Sequence, residues 1–256
     1  PVSGIWQTVW LEPVPAAHVE RLDLVPDVAG ARLRATVHVA GARAGQRVEL
    51  VASAAGREVA RVAGEPGREL ALPVANPRLW GPDDPFLYDL RVRLVDGASS
   101  AAVDSVASYF AMRSIALVRD SAGLARIALN GRPVFQFGPL DQGWWPDGLY
   151  TAPTDAALRW DIERIKALGW SMVRKHIKVE PARWYYHADR LGLPVWQDMP
   201  SGWNDTPAAR AAFEAELRRM VVELRSVPSI VAWVPFNEKW GQFDTPRIVG
   251  IVRELD

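Results

Sequence analysis

The run VFQFGPLDQGWWPDG, residues 134–148, decides between two folds. It opens a region in which the apolar runs VFQFGPL, MVRKH, LPVWQDMP and IVAWVPFNE alternate with helical patterns at about 155–168, 181–191, 207–226 and 246–255. Thr154 or Asp155, and Thr206 with Pro207, supply helix starts, while Gly169 and Gly192 supply stops. Four β-α units in succession predict a parallel sheet with helical crossovers, either doubly wound or the first half of an eight-unit barrel. A doubly wound sheet usually carries a Gly-rich phosphate turn after its first strand. GPLDQGWWPDG is no such turn, so the barrel is the expectation.

Upstream the texture differs. From Pro13 to about Met112 the chain reads as short alternating segments, ARLRATVHVA, QRVELVAS, FLYDLRVRLVD and SVASYFAMR, separated by Gly, Pro, Asp and Asn clusters. Period-two alternation with frequent turns predicts an antiparallel β-sandwich of immunoglobulin size, a packing module. Pro73, Pro77, Pro82 and Pro85 mark its loops or strand edges.

Composition excludes several functions. With 49% hydrophobic and 23% charged residues over 256 positions the chain can bury a substantial core. Thirty basic residues balance thirty acidic ones, so nothing electrostatic favours nucleic acid or an anionic membrane as a partner. The absence of cysteine removes thiol catalysis and cysteine metal sites. No run reaches the roughly 18 apolar residues of a membrane helix, and localisation stays open.

In a barrel the loops at the C-terminal strand ends form the working face. Those ends carry Asp141 and Gln142 with Trp144 and Trp145, then Arg174 and His176, then Asp198, then Asn237 and Glu238. Packing alone does not require polar or aromatic residues at every strand end. Of the 12 tryptophans nine follow residue 140. A flat ring with one N–H donor suits a sugar face as well as a core. Trp160, Trp170 and Trp184 lie in or beside helical patterns and are expected in the core; Trp144, Trp145, Trp203 and Trp240 follow strand ends and suit binding. Glu238 follows apolar Trp233 and Phe236, surroundings that would disfavour a charged carboxylate and so suit a proton donor. The alternative for Glu238 is a surface carboxylate paired with Lys239.

These residues carry a resemblance. SIVAWVPFNE resembles the acid/base strand of glycoside hydrolase family 2, which includes β-galactosidases, β-mannosidases and β-glucuronidases. SGIWQTVWLE resembles the last strand of that family's N-terminal sugar-binding domain; DPFLYDLRVRLVD and YFAMRSI resemble the end of its immunoglobulin-like domain; DIERIKALGWSMVRKH and WYYHADRLGLPVW resemble its early barrel. The resemblance implies a multidomain β plus α/β fold: a jelly-roll strand at 1–12, an immunoglobulin-like β-sandwich at 13–112, and at 113–256 the first four β-α units of a (β/α)8 TIM barrel. It implies a retaining β-glycosidase with Glu238 as general acid/base and Asn237 on the hydroxyl next to the anomeric carbon. Arg174, His176, Asp198, Asp141, Trp144, Trp145 and Trp240 are the further substrate-binding candidates. The nucleophile of such an enzyme lies about 5 Å from the acid/base and in this family comes from the seventh strand. The sequence stops after four units, so the resemblance implies an inactive fragment.

Some positions depart from the family pattern. Leu140 and Gln142 stand where Asn-x-His is common, Arg174 is followed by His176 rather than by a histidine one residue later, and Gln197-Asp198 replaces Asp-Glu. Period two places Arg174 and His176 on one face. Gly202 and Asn204 stand near the metal pair of some galactosidases, so no metal is expected, nor any other cofactor; His176 with Asp198 reads as a satisfied polar pair. His18, His38 and His187 read as structural. The expected partner is a carbohydrate, with pairing through the open first and fourth barrel strands as a route to oligomers. Two alternatives are a non-catalytic carbohydrate-binding relative and an inverting pair, Asp198 with Glu238, about 6.5 to 9.5 Å apart.

Overall fold

The computed structural model of the chain describes residues 4–99 and 101–256. Contacts divide it into two compact units, Trp10–Pro133 and the residues up to Val9 together with Val134–Asp256. The first three residues of the expected strand at 1–12 lie outside the described residues, and residues 4–12 form no strand. A strand needs a ladder partner for its backbone groups. Part of this segment is held by single contacts instead, the Trp6 carbonyl accepting from Thr151 Oγ1 at 2.7 Å and the Trp6 ring meeting Tyr150 edge-on at 4.6 Å.

The unit Trp10–Pro133 contains β1 (His18–Asp27), β2 (Arg32–Ala40), β3 (Arg47–Ala54), β4 (Arg57–Gly64), β5 (Glu69–Pro73), β6 (Tyr88–Val95), β7 (Ala102–Phe110), β8 (Ile115–Arg119), β9 (Ala125–Leu129) and β10 (Arg132–Pro133). They form sheets ordered β1-β2-β5, β4-β3-β6-β7 and β10-β9-β8, all antiparallel. Alternation turns Leu33, Ala35 and Val37 of β2, Val48, Leu50 and Ala52 of β3, and Leu90, Val92 and Leu94 of β6 into one shared core. Each buried Leu or Val there contributes about 1.5–3 kcal/mol. Pro73 ends β5, an edge strand, where a missing N–H costs least. Two strands had no clean alternation to reveal them: β1 shifts register between Val19 and Arg21, and β4 buries only Ala60.

The other unit alternates strand and helix: β11 (Leu140–Asp141), α1 (Asp155–Ala167), β12 (Val173–Lys175), α2 (Ala182–Leu191), β13 (Val195–Asp198), α3 (Pro207–Leu224), β14 (Ile230–Val234) and α4 (Thr245–Leu255). The strands are parallel and lie side by side in chain order, β11-β12-β13-β14. Thr154 and Thr206 cap α1 and α3 by accepting from Ala157 N and Ala209 N, each at 3.1 Å. Gly192 ends α2 at φ 70°, left-handed backbone that glycine adopts without Cβ cost.

The helices cover one sheet face. Val173, Val195 and Ile230 pack with Leu158, Ile162 and Ile165 of α1 and Trp184, Tyr185 and Ala188 of α2, while Phe213, Leu217 and Val221 of α3 pack with Ile248, Ile251 and Val252 of α4. Trp184 is buried and Trp170 packs partly buried beside this core, but Trp160 is exposed, contrary to its expected place. The buried stripe of α1 runs through 158, 162 and 165, and position 160 falls on its far side, where the Arg164 guanidinium sits 5.7 Å from the indole.

Candidate active site

The parallel register sorts the strand-end residues onto two faces. Leu140 pairs with Arg174 and Arg174 with Trp196, whereas Asp141 pairs with Lys175 and Lys175 with Gln197. Side chains alternate along a strand, so Arg174, His176 and Asp198 share the face opposite the helices, and Asp141, Lys175 and Gln197 share the helix-covered face.

On the first face Arg174 makes a fork with Asp198, Nε to Oδ1 and Nη2 to Oδ2, both at 2.9 Å. Its Nη2 also donates to Asn237 Oδ1 at 3.0 Å. Asp198 is 1% exposed and its charge is met by this guanidinium. His176 lies with Nε2 3.9 Å from Asp198 Oδ2 and Nδ1 3.0 Å from Gln142 Nε2. Arg174, Asp198 and Asn237 are thus one hydrogen-bonded network, with His176 beside it and bonded to Gln142. The bidentate pairing engages both carboxylate oxygens of Asp198.

Asp141 is not part of that group. Its Oδ2 accepts from Lys175 Nζ at 2.5 Å and its Oδ1 from Gly143 N at 2.7 Å, inside a buried cluster where Lys175 Nζ also reaches Glu180 Oε1 at 2.7 Å. Its place beside Lys175 rather than Arg174 follows from the register, which strand ends read one at a time do not disclose. Tyr185 OH donates to Gln197 Oε1 at 2.6 Å in the same layer, and burial pushes that hydroxyl above the usual tyrosine range. Burial, then the Asp141 carboxylate, raises the Asp161 carboxyl.

Glu238 differs from its expected surroundings. The strand ends at Val234, and Glu238 is exposed four residues later. Phe236 stacks on Phe213 at 5.0 Å in the α3–α4 core, and Trp233 packs with the helices and donates to Asp256 Oδ2 at 2.7 Å. Both apolar neighbours turn toward the helices, so neither encloses the carboxylate. The loop is closed instead by Gln242, whose Nε2 donates to the carbonyls of Asn237 and Glu238.

Of the aromatic candidates, Trp144 is 53% exposed with its ring 5.1 Å from Tyr150, and Trp145 is half-buried in a two-way backbone bridge with Leu149. Trp240 lies 5.8 Å from Trp203. Asn204, absent from the candidates, stitches these loops: its Nδ2 donates to Gly241 O at 2.8 Å and Ser201 Oγ at 3.1 Å. Gly241 itself has φ 77°, and a Cβ there would meet Gly202 O at 2.2 Å. Gly241 had no sequence signal beyond its type, and Asn204 only its place near the metal pair of some galactosidases. A cavity of about 320 Å³ lies elsewhere, lined by Trp6, Tyr150, Asp155, Glu180 and Arg183 among others and by none of the candidates. Among the described residues no three His, Asp or Glu side chains gather as a metal site, and no helix is long and apolar enough to cross a membrane.

The fold defined by these two units is shared with β-glycosidases of known structure. An FMN-binding β-glucuronidase from Facaelibacterium prausnitzii L2-6 superposes with a TM-score of 0.84 at 22% identity, covering 95% of this chain and 40% of that one. Residues 17–113 match the model of Glycosyl hydrolases family 2. Curated relatives include a putative β-glucuronidase from Formosa agariphila, 27% identical over 194 residues, and a β-galactosidase from Lactococcus lactis, 27% identical over 175 residues. These alignments cover 72% and 64% of this chain but only 18% and 17% of the relatives, less than a fifth of the length of either.

Proposed function

We propose that the chain carries part of the working face of a retaining β-glycosidase, with Glu238 as general acid/base and Asn237 as a contact to a sugar hydroxyl. In this reading Trp10–Pro133 contains an immunoglobulin-like sandwich, and the strands β11 to β14 are the first four of a TIM barrel. Their side-by-side order in chain sequence supports it, since a doubly wound sheet reverses direction along its order. The carrying observation is the chain of hydrogen bonds from Asp198 through Arg174 to Asn237, which orients the Asn237 amide next to Glu238. With Oδ1 held by the guanidinium, the Asn237 NH₂ is left to donate to a substrate oxygen. The second carboxylate, the nucleophile, would be about 5 to 5.5 Å from Glu238 and is not supplied by Asp198.

The test is Glu238→Gln in the full-length protein containing this chain. Turnover of aryl β-glycosides is expected to fall by about 10²–10⁴ for poor leaving groups and far less for good ones, because a good leaving group needs no proton. Turnover unchanged by the substitution across all leaving groups would clear Glu238 of the acid role, and no turnover in the unmutated protein would point to the non-catalytic, carbohydrate-binding alternative.

A further inference from the structure

The mechanism proposed above makes no use of Lys178, whose side chain is 1% exposed. Its Nζ lies 2.7 Å from Gly143 O, 2.9 Å from Tyr150 O and 3.2 Å from Glu180 Oε1. An ammonium has three protons, and these three acceptors take them all. Gly143 and Tyr150 lie on either side of the Trp145–Leu149 bridge in the loop between β11 and α1, so one cation ties the two arms of that turn together. The Tyr150 and Trp6 rings lie 4.4 and 4.9 Å from Nζ and take part of the place of water around it.

The loop is built to accept that cation. Gly143 has φ 64°, and a Cβ there would sit 2.6 Å from Lys178 Nζ and 2.3 Å from Glu180 Oε1. Within the loop Trp145 and Leu149 exchange backbone hydrogen bonds at 2.7 and 2.9 Å, leaving Trp144 with its ring against Tyr150 and more than half exposed. At the loop's root Gln142 bonds His176, whose ring lies 3.9 Å from Asp198 of the Arg174–Asp198–Asn237 network.

We propose that Lys178 is a positioning residue that locks the Gly143–Tyr150 loop and so presents the Trp144 ring as a stacking platform for the C–H face of a pyranoside. This rests on the reading that these strand ends are the working face. A compact ammonium suits the task, because it can aim separate protons at two carbonyls and a carboxylate.

Hydrogen exchange on the chain tests the lock. In Lys178→Met, amides of residues 143–151 are expected to exchange about ten-fold faster, while those of α1 to α4 keep their protection. Gly143→Ala, which displaces the cation without removing it, is expected to give the same loop-confined change. In chain labelled with 5-fluorotryptophan, Lys178→Met should move the ¹⁹F resonances of Trp144 and Trp145 and leave those of Trp203 and Trp233 in place, a signature that a general loss of stability does not produce. Unchanged loop exchange in both variants, or exchange that rises equally in the helices, overturns the proposal. None of these readouts involves a sugar, so the failure of the glycosidase reading, tested by Glu238→Gln, is distinguishable from the failure of this one.

Discussion

At the level of single residues, the network around Asp198 carries the strongest energetic statement. Its carboxylate is buried and met by one guanidinium, so Arg174→Met strands a charge away from water. That loss is expected to cost about 3–5 kcal/mol, measurable by urea unfolding, and adding Asp198→Leu to it should restore a large part. Alternation along β12 made the shared face of Arg174 and His176 legible in the sequence. Asp141 was read from its strand end alone, and only the register with β12 says that it pairs with Lys175 rather than with Arg174. Trp233 and Phe236 show the same limit: adjacency to Glu238 in sequence did not make them its neighbours in space.

At the level of elements, helix ends were the most legible feature. Threonine before the first turn and glycine after the last are local signals, and they act through hydrogen bonds within a few residues. Thr154→Ala and Thr206→Ala should each lower stability by about 1 kcal/mol in thermal or denaturant unfolding. The pairing of α1 with α2 was not legible. Asp155, at the start of α1, accepts from Arg183 Nε and His187 Nε2, both at 2.9 Å, and these bonds hold its carboxyl well below the usual carboxylate range. A depressed folded value means that the contribution is complete above the unfolded value of about 3.9 and is lost as pH falls below it. Asp155→Asn should therefore flatten the decline of stability with acid, read as urea midpoints across that range. The effect should shrink in high salt, because the site faces solvent.

At the level of the whole molecule, β11 and β14 are the terminal strands of the parallel sheet. Terminal strands present unpaired backbone groups. Phe135, Phe137 and Leu140, in and just before β11, are all more than half exposed. The chain by itself is expected to associate through these edges, giving a concentration-dependent sedimentation coefficient, and Leu140→Lys should weaken that association. A concentration-independent monomer would count against edge pairing.

The sequence by itself determined the elements whose signals are local. These are the capped helices, the alternating strands β2, β3, β6 and β7, the consecutive β-α units, and the placing of Arg174 and His176 on one face. Tertiary structure decided what depends on partners far along the chain. It paired Asp141 with Lys175, built the Lys178 clamp across Gly143 and Tyr150, turned Trp160 outward, and left Glu238 exposed while Phe236 packed against α3. The physical reason is one of range: capping and alternation are set by neighbouring residues, whereas register, burial and ion pairing are set by residues brought together only when the sheet and its helices close on each other.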